Sequence, residues 1–208
     1  MSMSLRSIAL LFLLALPAAL RADATAQLDR FFAEVRTFSA AFEQVVLDAN
    51  LERIEESTGR MWIARPGKFR WDYEPPLEQQ IVSDGDRVWI YDIELEQITV
   101  RRLGDALGRT PALLLAGDGN LEAAYLIEDR GLHGNVEWVA LVPRADDGNF
   151  SEIQLGFEGG ELRLLQLADQ LGQITRIVFS GNEINPAIAA TVFDFQPPPG
   201  VDVIDDSE

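Results

Sequence analysis

The chain has 208 residues, with 17 Lys and Arg against 34 Asp and Glu, one His and no Cys. A net charge of −17 repels nucleic acid and anionic lipid surfaces, so neither is an expected partner. Without cysteine there is no disulfide, no thiolate metal site, no cysteine nucleophile and no lipid-accepting Cys.

Arg6 precedes "IALLFLLALPAAL", an uninterrupted apolar run too short to span a bilayer comfortably. Pro17 and small residues then lead to Ala22-Asp23-Ala24, an A-x-A-like site. Residues 1–24 are therefore expected to be a secretory signal peptide, cut near Ala22 or Ala24. One domain is left over residues 25–208, long enough for a sizeable core. An exported chain with neither lipid nor membrane anchor is expected to be soluble in the periplasm.

In "TAQLDRFFAEVR", Leu28, Phe31, Phe32 and Val35 recur at helical spacing, with Thr25 or Asp23 as the cap. From Phe38 the period changes to two. "FSAAFEQVVLD", "GRMWIARP", "KFRWDYE", "EQQIVSD", "RVWIYD" and "EQITVRRL" read as strands, broken by Pro-Gly, Pro-Pro and Asp-Gly turns. "TPALLLAG" reads as a second short helix, with Thr110 as cap, Pro111 in the first turn and Gly117 as the stop. Strands resume in "AAYLIEDR", "VEWVALVPR", "FSEIQLGFE", "ELRLLQLAD" and "QITRIVFSG", and "TVFDF" is the last expected one. The closely spaced turns leave no room for parallel crossovers. The expected fold is mainly β: one large antiparallel sheet of about 11 or 12 short strands, curled or closed, with two short helices.

Several strands are apolar on both faces, which a surface sheet does not need. Phe69, Trp71 and Tyr73 share a side, while Val88 and Ile90 point opposite to Trp89 and Tyr91. Ile153, Leu155 and Phe157 share another. The inner face of a curled sheet serves as core or as cavity, and the expected members of an apolar cavity or its rim are Phe42, Trp62, Phe69, Trp71, Trp89, Tyr91, Ile98, Val100, Ile153 and Leu155.

No catalytic or metal set is expected. His133 lies in the turn-like "RGLHGN" with no second His for a metal site. There is no G-x-S-x-G elbow, P-loop or G-x-G-x-x-G. "SDGD" and "ADDGN" lack the spaced carboxylates of a calcium loop and read as hairpin turns. Neither an enzyme nor a cofactor is indicated.

"RPGKFRWDYEPPLEQQIVSDGDRVWIYDIELEQITVRRL", with "TPALLLAG" and the ending "FDFQPPPGVDVIDD", resembles the LolA family of periplasmic lipoprotein carriers. The shared features, in order, are Arg-Pro-x-x-Phe-x-Trp, Ser-Asp-Gly, Trp-x-Tyr, Glu-Gln, Thr-Pro-x-x-Leu-Leu and a closing Phe-x-Phe-x-Pro-Pro-x-Gly-Val. The likeness spans the mature chain and is diffuse between Leu121 and Gln173. It implies an antiparallel half-barrel with a helical lid over an apolar cavity. Arg65 matches the arginine that holds the family's lid shut through hydrogen bonds to lid backbone. The lid would comprise the helix bearing Leu28, Phe31, Phe32 and Val35 and the helix bearing Pro111, Leu113, Leu114 and Leu115. The implied partners are triacylated lipoprotein cargo, an ATP-driven inner-membrane release complex of the LolCDE type and an outer-membrane receptor of the LolB type, with the carrier a monomer. The competing expectation is an acyl-lipid-sensing envelope regulator of the same fold. Such regulators usually add a second domain.

Overall fold

The computed structural model describes residues 23–106, 111–145 and 149–207. Nearly all of the expected leader, the expected cap Thr110 and part of the "ADDGN" turn lie outside the described residues. Asp23 accepts a hydrogen bond from the Thr25 amide at 3.0 Å and caps α1 (Ala24–Glu34). Val35 leaves the helix in an extended conformation and stays buried.

The chain then forms β1 (Thr37–Leu47), β2 (Arg53–Ala64), β3 (Lys68–Tyr73), β4 (Gln79–Asp84), β5 (Arg87–Asp92) and β6 (Gln97–Arg102). Two short helices follow, α2 (Leu103–Ala106) and α3 (Pro111–Ala116). A second meander comprises β7 (Tyr125–His133), β8 (Val136–Pro143), β9 (Phe150–Glu158), β10 (Glu161–Asp169) and β11 (Ile174–Ile184), and β12 (Asp202–Asp205) closes the chain.

Among the described residues, twelve strands make one sheet, in the order β12-β6-β5-β4-β3-β2-β1-β11-β10-β9-β8-β7. Neighbours in sequence pair as hairpins, and the β1–β11 pairing joins the two meanders. β7 and β12 are free edges, so the sheet is curled and not closed. Register shifts at Ser39/Ala41 in β1 and at two places between β9 and β10 supply local bends.

Two sequence expectations change. "TVFDF" is no strand: Ala190–Phe193 is a 3-10 turn, and Phe195 lies in the tail beyond it. Phe193 and Phe195 alternate because they bury side chains, not because they join a ladder. The last strand is the exposed "DVID", whose pairing with β6 is parallel. A strand this exposed carries no apolar alternation to be read.

The sheet has two apolar faces with different covers. The concave one packs Phe38, Met61, Ile63, Phe69, Trp71, Val88, Val139, Leu155, Leu165 and Phe179 into a single cluster with the lid helices. On the convex side of β4–β6, Val82, Ile98 and Val100 are buried with Phe195, and Trp89, Tyr91 and Val201 pack against them. The C-terminal tail is thus what the second apolar face of these strands is for.

Candidate functional site: a lidded concave face

The concave face is built row by row from the register. Phe38 lies opposite Ile63, which lies opposite Phe69; Ala40, Met61 and Trp71 form the next row. On the other side of β1, Phe42 faces Phe179, and Ile177, Leu165 and Leu155 continue across β11, β10 and β9. Rings lock these rows edge to face: Phe38 to Phe179 at 6.2 Å, Trp71 to Phe179 at 6.3 Å and Phe42 to Tyr73 at 5.1 Å. Gly59 makes room for Phe42, since a Cβ there would lie 2.6 Å from the Phe42 ring and 2.1 Å from the Asp72 carbonyl oxygen.

The lid has two pieces. α1 lies against β7, β8 and β9, and α3 lies against β2 and β3. Leu28, Phe31, Phe32 and Val35 from the first, with Leu113, Leu114 and Leu115 from the second, share the concave-face cluster. Pro111 opens α3. Phe31 sits edge-on to Phe38 at 6.0 Å and to Phe157 at 6.1 Å.

Arg65 follows directly on β2, at the edge where the two lid pieces meet. Its Nε donates to the Leu115 carbonyl at 3.0 Å. Nη1 donates to the Phe31 carbonyl at 3.0 Å and also to the Val35 carbonyl. These are acceptors at the C-terminal ends of both helices, where the helix dipole favours a cation. The guanidinium carbon lies 4.6 Å from the Phe31 ring centre and 4.4 Å from that of Phe32. Burial, with a smaller contribution from the Arg36 charge, pushes its pKa down to about 10. The Gly67 amide donates to the Ala116 carbonyl at 2.9 Å, so the Arg-Pro-Gly turn satisfies two α3 carbonyls. A second tether, not visible in the sequence, joins α1 to β8: the Gln27 side-chain amide donates to Glu137 at 2.8 Å across 110 residues.

Of the expected cavity residues, Phe42, Phe69, Trp71, Ile153 and Leu155 lie on the concave face. Trp62, Trp89, Tyr91, Ile98 and Val100 do not. Trp62 alternates with Met61 and Ile63 and faces outward beside Arg60. Trp89 pairs with Val100 and Tyr91 with Ile98, so these four share the convex side beneath the tail. Val88 and Ile90 are the inward residues of β5. Both alternating sets there are apolar, and only the identity of the cover distinguishes them.

In this lid-down arrangement, side chains of the sheet and of the lid helices pack together on the concave face among the described residues. A cleft of about 320 Å³ runs beside α1, lined by residues including Leu28, Phe32, Leu121 and Ile127. A smaller one of about 130 Å³ lies by Phe31, Phe38 and Leu162. Pockets for one drug-sized ligand span roughly 300–1,000 Å³, so neither cleft receives several acyl chains unless the lid moves.

An open curled sheet with an apolar concavity beneath two helices that one arginine bridges defines a hydrophobic-ligand-binding half-barrel. The profile of the family described as "Outer membrane lipoprotein carrier protein LolA" matches residues 33–196. The chain belongs to that family. It is 45% identical over 188 residues to the outer-membrane lipoprotein carrier protein of Methylococcus capsulatus, covering 89% of this chain and 90% of that one. It is 47% identical over 191 residues to the protein of the same description from Chromobacterium violaceum, covering 92% and 91%. Among solved structures, an uncharacterized conserved protein from Thermus thermophilus superposes with a TM-score of 0.54 at 12% identity, over 88% of this chain and 96% of that one, a likeness of fold alone.

Proposed function

We propose that this chain shields the acyl chains of outer-membrane lipoproteins and carries them through the periplasm. The observation that carries the reading is Arg65, one side chain bridging both lid helices above an apolar concave face. The names of its relatives support the same cargo. An acyl chain of about 16 carbons is worth on the order of 10 kcal/mol to keep out of water, at ~0.8 kcal/mol per CH₂. Three hydrogen bonds from a charged donor contribute about 1.5–3 kcal/mol each, and burial of the cation offsets part of that. Cargo with three chains therefore outweighs the latch. Arriving chains displace Phe31, Phe32 and the α3 leucines, and the lid closes again after delivery.

In this reading Arg65 is the latch, an ATP-driven inner-membrane complex supplies the cargo, and an outer-membrane receptor removes it. The role is carriage, with no bond-making step. A leader cut after Ala22 leaves Asp23 in place to cap α1, whereas cutting after Ala24 removes the cap together with a buried residue. Depletion of the protein is expected to strand outer-membrane lipoproteins at the inner membrane. Normal sorting after depletion counts against carriage and favours a lipid-sensing regulator.

A further inference from the structure

The two halves of the concave face are unequal. On the β9–β11 side the inward residues stay apolar along the strands: Phe157, Leu155 and Ile153; Leu162, Leu165 and Leu167; Phe179 and Ile177. On the β1–β3 side the apolar row is interrupted before it resumes at the buried Val46. After Phe42 opposite Gly59, the next inward pair is Gln44 opposite Ser57, both buried. Tyr73, opposite Gly59 on β3, donates its hydroxyl to Gln44 Oε1 at 3.1 Å. Ser57 Oγ is buried without a hydrogen-bond partner in the protein. Across β1, the residue opposite Gln44 is Ile177, so polar and apolar side chains meet at the same level.

A methylene offers Ser57 Oγ no partner, and a chain that parts Tyr73 from Gln44 leaves both of those groups unpaired, which costs free energy that the methylene does not return. We propose that Gln44, Ser57 and Tyr73 form a polar step that limits how far a bound acyl chain extends along the β1–β3 side, and so set the chain length this carrier favours. The proposal rests on the carrier reading above. The distance from Phe38, under the lid, to Gln44 is six residues of strand, roughly 20 Å, close to an extended saturated chain of about sixteen carbons.

The test displaces a fluorescent fatty-acid analogue from the full-length mature protein with saturated fatty acids of about ten to about twenty-two carbons. Affinity is expected to rise about fourfold per methylene, as a buried CH₂ requires, and to level off near about sixteen carbons. Gln44→Leu moves the break to longer chains, and Ser57→Ala moves it the same way by less. Ser57→Ala removes only an unpartnered hydroxyl and keeps the test open if the first variant does not fold, as judged by thermal melting and near-ultraviolet circular dichroism. A break that stays in place in a folded variant, or a wild-type series with no break, overturns the polar step and leaves carriage standing. If no acid of any length displaces the probe, the carrier reading itself fails.

Discussion

Arg65 must hold two helices with one side chain, and its geometry limits what can replace it. Its donors reach carbonyls at the ends of both α1 and α3 while its guanidinium carbon sits within 4.6 Å of the Phe31 and 4.4 Å of the Phe32 ring centres. A lysine offers a single ammonium on a flexible stem and cannot serve both helix ends at once. Arg65→Lys is therefore expected to behave like Arg65→Leu, with faster loss of the closed lid and impaired handover of cargo to the receptor. Delivery by both variants at the unmodified rate refutes the latch. The pH dependence has a definite sign. Below about 10 the guanidinium is charged with the lid open or shut, so lid opening moves no proton through Arg65, and loading is expected to be flat from about pH 6 to about pH 8. Above about 10 the latched side chain gives up its proton before a released one does, so rising pH there favours the latched form. At Gly59 the constraint is space: Gly59→Ala drives a methyl into the Asp72 carbonyl and the Phe42 ring. It is expected to lower stability by about 1–3 kcal/mol or more, seen as an earlier urea midpoint with an unchanged slope.

Among the elements, the two lid pieces belong to different halves of the sheet. α1 is tied to β8 through Gln27 and Glu137, and α3 is tied to the β2–β3 turn through Gly67. Breaking the Arg65 contacts is therefore expected to part the lid along the line between α1 and α3, each piece staying on its own half. Gln27→Ala removes a hydrogen bond to a carboxylate, worth about 1.5–3 kcal/mol. Amide exchange in α1 is expected to speed up while amides of β1–β3 stay protected; uniform acceleration across the chain contradicts two separate pieces. This level also shows what the sequence revealed. Strand positions were legible because apolar residues alternate between Asp-Gly and Pro-Gly turns, and Arg65 stood out because the Arg-Pro-x-x-Phe-x-Trp motif surrounds it. The inward side of β5 was not legible, since Val88 and Ile90 are as apolar as Trp89 and Tyr91. The choice is made by a tail that begins nearly a hundred residues later. The Gln27–Glu137 tether was equally hidden, because two polar residues far apart in sequence carry no local sign of meeting.

At the scale of the whole molecule, the carrier reading requires that the protein expose its apolar concavity each time it loads and still avoid the membranes at both ends of its route. Its charge of −17 is expected to supply that protection through long-range repulsion from anionic surfaces. The free edge beyond β6 is blunted as well, by a short exposed strand that carries Asp202 and Asp205. Removing the latch separates these effects. Arg65→Leu keeps the acidic surface and frees the concave face, so it is expected to bind neutral phosphatidylcholine vesicles that the unmodified protein ignores. Adding anionic lipid should suppress that binding at low salt, and salt should restore it, because the Debye length falls from about 30 Å at 0.01 M to about 3 Å at 1 M. Sedimentation of protein with vesicles reads both variables. Binding that increases with anionic lipid would mean that the charge has no protective part, and equal binding by the latched and unlatched proteins would mean that Arg65 does not keep the apolar face covered.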